Sequence, residues 1–229
     1  MKRPPMKRLP TKPGALPTVL ITGFEPFGGE SVNPSWAAVR ALQGARIAGH
    51  RVETRCLPVV FGGALTCLRK AIAETKPALV LCVGQAGGRA QISLERIAIN
   101  VDDARKPDNA GNSPVDAPII TGGPAGYFST LPIKRLLAEL QRAEIPAEIS
   151  QSAGTYVCNH VFYGLMHSLR KRRGLRGGFV HIPYSPEQAT RHRGAASLPT
   201  ETVTAAIRII VRTTLKQPLD LPIPADATH

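Results

Sequence analysis

Apolar residues along this chain fall into short blocks that alternate between two spacings. TVLITG (18–23), RVETRCLP (51–58) and ALVLCVG (78–84) read as strands. The segments Pro34 to Leu42 and Gly63 to Thr75 between them read as helices. Further on, LPIKRLLAELQRAE places Ile133, Leu136, Leu137 and Leu140 on one helical face, and AEISQS supplies another strand. The amphipathic run in SAGTYVCNHVFYGLMHSL then gives a helix, and GGFVHIPY (177–184) the last strand. A final helix, Thr200 to Leu215, gathers Val203, Ile207, Ile210 and Val211 on one side, with Ser197 and Pro199 at its start. Strands and helices that alternate in this way predict a three-layer α/β/α sandwich with a largely parallel twisted sheet.

The chain has 229 residues, enough for one substantial core, and a single domain is expected over 18–216. Residues 1–17, MKRPPMKRLPTKPGALP, are basic, proline-broken and free of acidic residues, and are expected to form a disordered leader. That leader lacks the apolar centre of a signal peptide and the Ser-rich amphipathic character of a transit peptide, so a cytoplasmic protein is expected. Residues 217–229 are rich in proline and expected to lie loosely on the surface. The apolar blocks fall short of the roughly 20 residues that a membrane span needs, and no membrane association is expected.

A formal charge of +13 raises the question of a nucleic-acid partner. Outside the leader, the densest basic run is Arg170, Lys171, Arg172, Arg173 and Arg176, at the end of a helix, where cations complement the helix dipole. Nucleic acid is therefore not the expected partner. The turn-rich stretch VDDARKPDNAGNSPVDAPIITGGPAGYFS has the length and composition of a functional loop.

Four cysteines show no CxxC pairing, so neither a zinc site nor a redox pair is expected, and no metal or cofactor is assigned. Cys56, Cys67 and Cys82 lie within strand or helix patterns and read as small buried hydrophobes. Cys158 differs because it stands at the expected start of a helix. Unsatisfied N–H groups and the positive end of the dipole favour thiolate there, which predicts an acid-shifted thiol. Local sequence leaves two readings open, a nucleophile or a cysteine filling a gap at a helix start. As a base, His181 is the best placed of the six histidines, because it ends an apolar strand where α/β sheets build their sites. His160 and His167 share the helix of Cys158 and read as surface or packing residues. Glu95 could orient the imidazole, or simply pair with Arg96 or Arg105. Asp102 and Asp103 read as turn and ion-pair residues. Two loops remain: GFEPFGGESVNPSW, expected to expose the rings of Phe24 and Phe27, and VGQAGGR, which lacks the spacing of a phosphate cradle but offers Gln85 as donor and acceptor.

The motifs GFEPFGGESVNPSW, VGQAGGR, LERIAINVDDARKPDNAGN, SAGTYVCNH and GFVHIPYSPEQ, in this order, resemble the pyroglutamyl-peptidase I (pyrrolidone-carboxylate peptidase) family over roughly residues 18 to 215. The resemblance implies a cytosolic cysteine omega-peptidase, commonly tetrameric and without metal, acting on N-terminally pyroglutamylated peptides. It implies Cys158 as nucleophile, His181 as general base and acid, and Glu95 as orienting carboxylate. Phe24 and Phe27 would form the substrate pocket with Asn33 and Gln85 as polar support, and Arg105 with the Cys158 N–H would stabilise the oxyanion. Lys106, beside the expected pocket where an apolar residue would also serve, leaves preference beyond the pyroglutamyl ring open. Two alternatives stand beside this reading: a thiol hydrolase of another cyclic amide or ester, and a basic nucleic-acid-binding α/β protein with an inert Cys158.

Overall fold

A computed structural model of the protein describes residues 16–172 and 174–225. In chain order the elements are β1 (Thr18–Phe24), α1 (Pro34–Arg40), β2 (Arg46–Ile47), β3 (His50–Leu57), α2 (Gly63–Thr75), β4 (Leu79–Gln85), β5 (Ile92–Glu95), β6 (Ile97–Ile99), β7 (Gly126–Phe128), α3 (Ile133–Arg142), β8 (Ala147–Ser150), α4 (Val157–Leu169), β9 (Arg176–Ile182), α5 (Pro186–Ala189) and α6 (Thr200–Lys216).

Seven strands form one sheet in the order β2-β3-β1-β4-β9-β5-β8, and β6 pairs with β7 in a small separate ribbon. The ladders β3-β1, β1-β4, β4-β9 and β5-β8 are parallel. Those of β2 with β3 and of β5 with β9 are antiparallel.

Period-two alternation divides the core between the two faces of the sheet. Val19 and Ile21 of β1, Leu79, Leu81 and Val83 of β4, and Val180 and Ile182 of β9 pack with residues of α1, α3 and α6. Leu20 and Phe24, Val80 and Cys82, and Phe179 point the other way and pack with α2 and α4. Helices on both faces of a mostly parallel sheet make the expected three-layer sandwich.

Beyond α6 the described residues differ from expectation. The expected leader lies outside the described residues except for Leu16 and Pro17, and the Pro17 carbonyl accepts from Arg51 N at 2.9 Å. The proline-rich segment after α6 does not lie loosely as far as it is described. Helix α3 has Pro132 as N-cap with no side-chain cap of its own. The Asp220 carboxylate fills that role, accepting from Lys134 N at 3.3 Å and Arg135 N at 2.9 Å. Lys134 Nζ donates to the Ile223 carbonyl, and Arg96 Nη2 to that of Ala225. Helix α6 likewise starts at Pro199 without a capping side chain, so Ser197 does not cap it.

Candidate active site

His181 and Glu95 share one side of the sheet for a reason legible in their numbering. His181 follows Val180 and precedes Ile182, both on the α1/α3/α6 face, so it points with Phe179 toward α4. On β5, Ile92 and Leu94 belong to that same first face, so Ser93 and Glu95 also point toward α4. The register sets Ser93 opposite His181 and Leu94 opposite Val180. Glu95 is thereby a diagonal neighbour of His181 across the ladder, within reach of its side chain. The Glu95 carboxylate is fully buried, and its Oε1 lies 2.7 Å from His181 Nδ1.

Helix α4 supplies the thiol. Gly154, at φ 75°, makes the turn into the helix, and α4 begins at Val157 after an N-cap, Tyr156, that gives no side-chain cap. Cys158 therefore sits in a first turn whose N–H groups no side chain caps, as expected from the sequence. Its sulfur lies over Gly84, the β4 residue that pairs in register with His181. A Cβ on Gly84 would come 2.9 Å from Cys158 Sγ and 2.8 Å from the Phe179 ring, so only glycine fits there.

A cavity of about 410 Å³ opens onto these groups, and Phe24, Phe27, Asn33, Gln85, Arg89, Arg105, Tyr156, Cys158 and His181 are among its lining residues. All the expected site residues except Glu95 line it, and Glu95 stands behind His181. Phe24 is not an exposed ring, however. As the last residue of β1 it is buried to 2% exposure, with its centroid 6.3 Å from that of Phe179. Phe27, in the loop beyond, is half-buried. Asn33 is largely committed to the fold: its Oδ1 accepts from Ser35 N at 3.0 Å as the N-cap of α1, and its Nδ2 donates to the Glu25 carbonyl at 2.9 Å. Gln85 is buried at the end of β4, where its Oε1 accepts from Gln188 Nε2 at 3.4 Å.

Glu95 does form an ion pair, but with neither Arg96 nor Arg105. Arg89 Nη1 lies 2.7 Å from Glu95 Oε1, and Arg89 Nη2 donates to the Ser152 carbonyl at 2.9 Å. Arg96 follows Glu95 directly and so leaves the strand on the opposite face, while Arg105 is exposed at the cavity mouth. Local sequence assigns Arg89 no role; the signal for it is a loop, VGQAGGR, that ends in arginine just ahead of the strand carrying the carboxylate.

The electrostatics correct one expectation. Burial pushes the Cys158 thiol up to about 12, the Glu95 carboxylate adds to this, and the Arg89 guanidinium opposes it. This shift runs against the pull of the helix start toward thiolate, because burial and the Glu95 charge both disfavour charge on sulfur. Burial also lowers the pKa of His181, against the hydrogen bond and charge of Glu95, which raise it. Both shifts favour the uncharged forms of the thiol and the imidazole.

The other candidates serve the scaffold. His160 Nδ1 lies 2.8 Å from Asp102 Oδ2, and Gly62 N donates to His160 Nε2 at 3.0 Å, so this histidine is a buried packing residue. His167 Nδ1 lies 2.9 Å from the Tyr127 hydroxyl. The turn-rich stretch is organised by Asp108, which accepts from Phe61 N, Ala110 N and Asn112 N. Burial would raise the carboxyl pKa of Asp108, but the hydrogen bonds from Asn112, Phe61 and Ala110 prevail and hold it below the ordinary range. Tyr156 Oη donates to the Pro107 carbonyl at 2.9 Å and so joins this stretch to the start of α4. All four cysteines are free thiols, and among the described residues no group of three His, Cys, Asp or Glu side chains could hold a metal ion. No helix among them is long and apolar enough to cross a membrane.

Comparison with known proteins places this geometry in a family. The family model for pyroglutamyl peptidase matches residues 17–217. Pyrrolidone-carboxylate peptidase 1 of Photorhabdus laumondii subsp. laumondii is 57% identical over 218 residues, covering 93% of this chain and 99% of that protein. Pyrrolidone-carboxylate peptidase 1 of Ralstonia nicotianae is 56% identical over 208 residues, covering 90% of this chain and 96% of that protein. Among solved structures, pyroglutamyl peptidase I of Bacillus amyloliquefaciens superposes with a TM-score of 0.87 at 48% identity, covering 90% of this chain and 100% of that chain. A mutant pyrrolidone carboxyl peptidase of Pyrococcus furiosus gives a TM-score of 0.85 at 43% identity, covering 88% of this chain and 100% of that chain. With its thiol, imidazole and carboxylate disposed about one cavity, the chain belongs to the pyroglutamyl peptidase family of cysteine peptidases.

Proposed function

We propose that this enzyme hydrolyses the amide bond after an N-terminal pyroglutamyl residue, with Cys158 as nucleophile, His181 as general base and acid, and Glu95 as orienting carboxylate. The observation that carries the assignment is the 2.7 Å contact between His181 Nδ1 and Glu95 Oε1, directed away from a cavity that His181 shares with Cys158. A proton held on Nδ1 by Glu95 leaves the Nε2 lone pair to receive the thiol proton.

The reaction follows from those roles. Sγ attacks the pyroglutamyl carbonyl as its proton passes to His181 Nε2, and Glu95 stabilises the imidazolium that forms. The C–N bond breaks, Nε2–H protonates the departing amine, and a thioester remains on Cys158. Neutral His181 then takes a proton from water, which attacks the thioester. The proton returns to sulfur as pyroglutamate leaves. The Cys158 N–H, in the uncapped first turn of α4, and Arg105, at the cavity mouth, serve as donors to the oxyanion, each worth on the order of 10²–10³ in rate.

Selectivity follows from charge. Pyroglutamate offers a lactam where other amino termini carry an ammonium. Phe24 and Phe27 present apolar surface to the lactam ring, and Gln85 with the remaining Asn33 N–H provides neutral polar partners. A free ammonium would be stripped of water without a counter-ion, at a cost on the order of several kcal/mol, beside Arg89 and Arg105.

The proposed setting is the cytoplasm, which suits four unpaired thiols. The proposed assembly is the homotetramer implied by the family resemblance, to be tested by sedimentation. The reading is tested by release of a fluorogenic amine from pyroglutamyl, prolyl and leucyl amides. Cleavage of the pyroglutamyl amide alone, abolished in Cys158→Ser, is expected; equal cleavage of the leucyl amide, or an active serine variant, would overturn it.

A further inference from the structure

Next to the catalytic cavity lies a recess of about 650 Å³ lined by Asp103, Arg105, Lys106, Gly154, Thr155 and Tyr156. Arg105, Gly154 and Tyr156 also line the cavity that holds Cys158, so the two spaces adjoin. A pyroglutamyl residue has nothing before it in the chain. Everything beyond the scissile bond must therefore leave by the open side of the cavity, into space that adjoins this recess.

Lys106 stands at the junction. Its Nζ lies 4.9 Å from the centroid of the Phe27 ring, close enough for a cation–π contact that holds the ammonium in place. A Cβ on Gly28 would come 3.3 Å from that Nζ, so the bare backbone at Gly28 leaves room for it. Neither Lys106 nor its exposed neighbour Arg105 takes part in an ion pair among the described residues. Asp103 is fixed in the recess by its backbone, whose N–H donates to the Thr155 carbonyl at 2.9 Å and whose carbonyl accepts from Thr155 Oγ1 at 2.7 Å, and its carboxylate forms no ion pair with either cation. Two cations and one carboxylate thus line the recess beside the catalytic cavity.

We propose that Lys106 is a specificity-determining residue for the position after the pyroglutamyl group, and that the substrates it favours carry an acidic side chain there. The inference rests on the pyroglutamyl peptidase reading above. An aspartate or glutamate at that position would give Lys106 the counter-ion it lacks, with Arg105 adding to the attraction, whereas a lysine or arginine would meet like charge.

The test compares kcat/KM for pyroglutamyl-glutamyl, pyroglutamyl-glutaminyl and pyroglutamyl-lysyl amides, whose blocked carboxyl ends leave the side chain as the variable. For exposed charges the Glu-to-Gln ratio is expected at about three- to five-fold at low salt, with the lysyl amide below both. The ratio should shrink toward one at about 0.5 M salt, where screening is strong. Lys106→Met should lower the ratio and Lys106→Glu should invert it. Because the readout is a ratio, a general loss of activity in either variant cancels. A wild-type ratio of one or less, or a ratio unmoved by Lys106→Glu, would overturn the proposal while cleavage of the glutaminyl amide leaves the peptidase reading standing. Failure to cleave any of the three amides would instead remove both.

Discussion

The sulfur of Cys158 lies over the backbone of Gly84, 2.9 Å from the place a Cβ there would occupy. Gly84 is the register partner of His181 on the neighbouring strand. The absence of one side chain from the sheet is what lets helix α4 set its thiol down in the cavity that the imidazole also lines. The contact also has no slack, since the Phe179 ring closes the other side at 2.8 Å.

Gly84→Ala should therefore damage the reaction more than the fold. The added methyl must push the sulfur off its position, and a displacement of about 1 Å from productive geometry costs on the order of 10²-fold. The expected result is a fall of that order in kcat with a cooperative melt retained. A variant with unchanged kcat would show that the thiol does not react from the position seen here.

The pH profile of kcat/KM is set by the neutral thiol and imidazole. His181 must be unprotonated to accept a proton, and burial lowers its pKa from 6.5, so the acid limb is expected below that value. With the Cys158 thiol pushed up to about 12, no thiol limb should interrupt the plateau through the mildly alkaline range. An acid limb centred above 6.5, or an alkylation profile of Cys158 with an acidic midpoint, would contradict this account.

Glu95→Gln separates orientation from charge. Glu95 raises the pKa of both His181 and Cys158, so removing its charge should move both downward and shift the acid limb to lower pH. Activity should nevertheless fall by roughly 10³–10⁴-fold, because the imidazolium loses its counter-charge and the tautomer is no longer enforced. A residue that only packed the core would lower stability without moving the limb.

Acid should loosen the protein in two windows. The His181 pKa is lower in the folded state than the ordinary 6.5, so its contribution to stability is complete above that value and is lost as pH falls through it toward the folded value. Glu30, paired with Arg191 and His192, has its carboxyl lowered from 4.5 to about 2, so its contribution is present above 4.5 and lost as pH falls toward 2. Thermal melts of wild type and Glu30→Gln between pH 7 and 3 should converge on the acid side; a constant difference would contradict the assignment.

Asp220 caps a helix from far along the chain. Asp220→Ala leaves the N–H groups of Lys134 and Arg135 without their acceptor, which should cost about 1 kcal/mol. For a domain of this size that corresponds to a fall in Tm of about 2–4 °C, with activity retained at low temperature. An unchanged Tm would show that the C-terminal segment contributes nothing to the core.

Much of this was legible beforehand because periodicity is a local property. Helix α2 spans the expected Gly63–Thr75, and β1, β3 and β4 begin or end within one residue of the runs read as strands. The alternation that buries Val180 and Ile182 on one face also sends His181 to the other. The partner of Glu95 was not legible in the same way. Arg96 is its neighbour in sequence but leaves the strand on the opposite face, and it was Arg89, brought back by a turn, that reached the carboxylate. Phe24 read as an exposed ring in a loop motif, yet it closes β1 and belongs to the core beneath the cavity.

By itself the sequence determined which side chains the site could use and which face of each element they would occupy, since both follow from residue type and from spacing along a regular backbone. Only the tertiary structure decided which arginine meets Glu95, that Asp220 caps α3, and that burial and the Glu95 charge push the Cys158 thiol's pKa up against the pull of its helix. Those outcomes depend on distance and dielectric, which are set by segments that the chain separates and packing brings together.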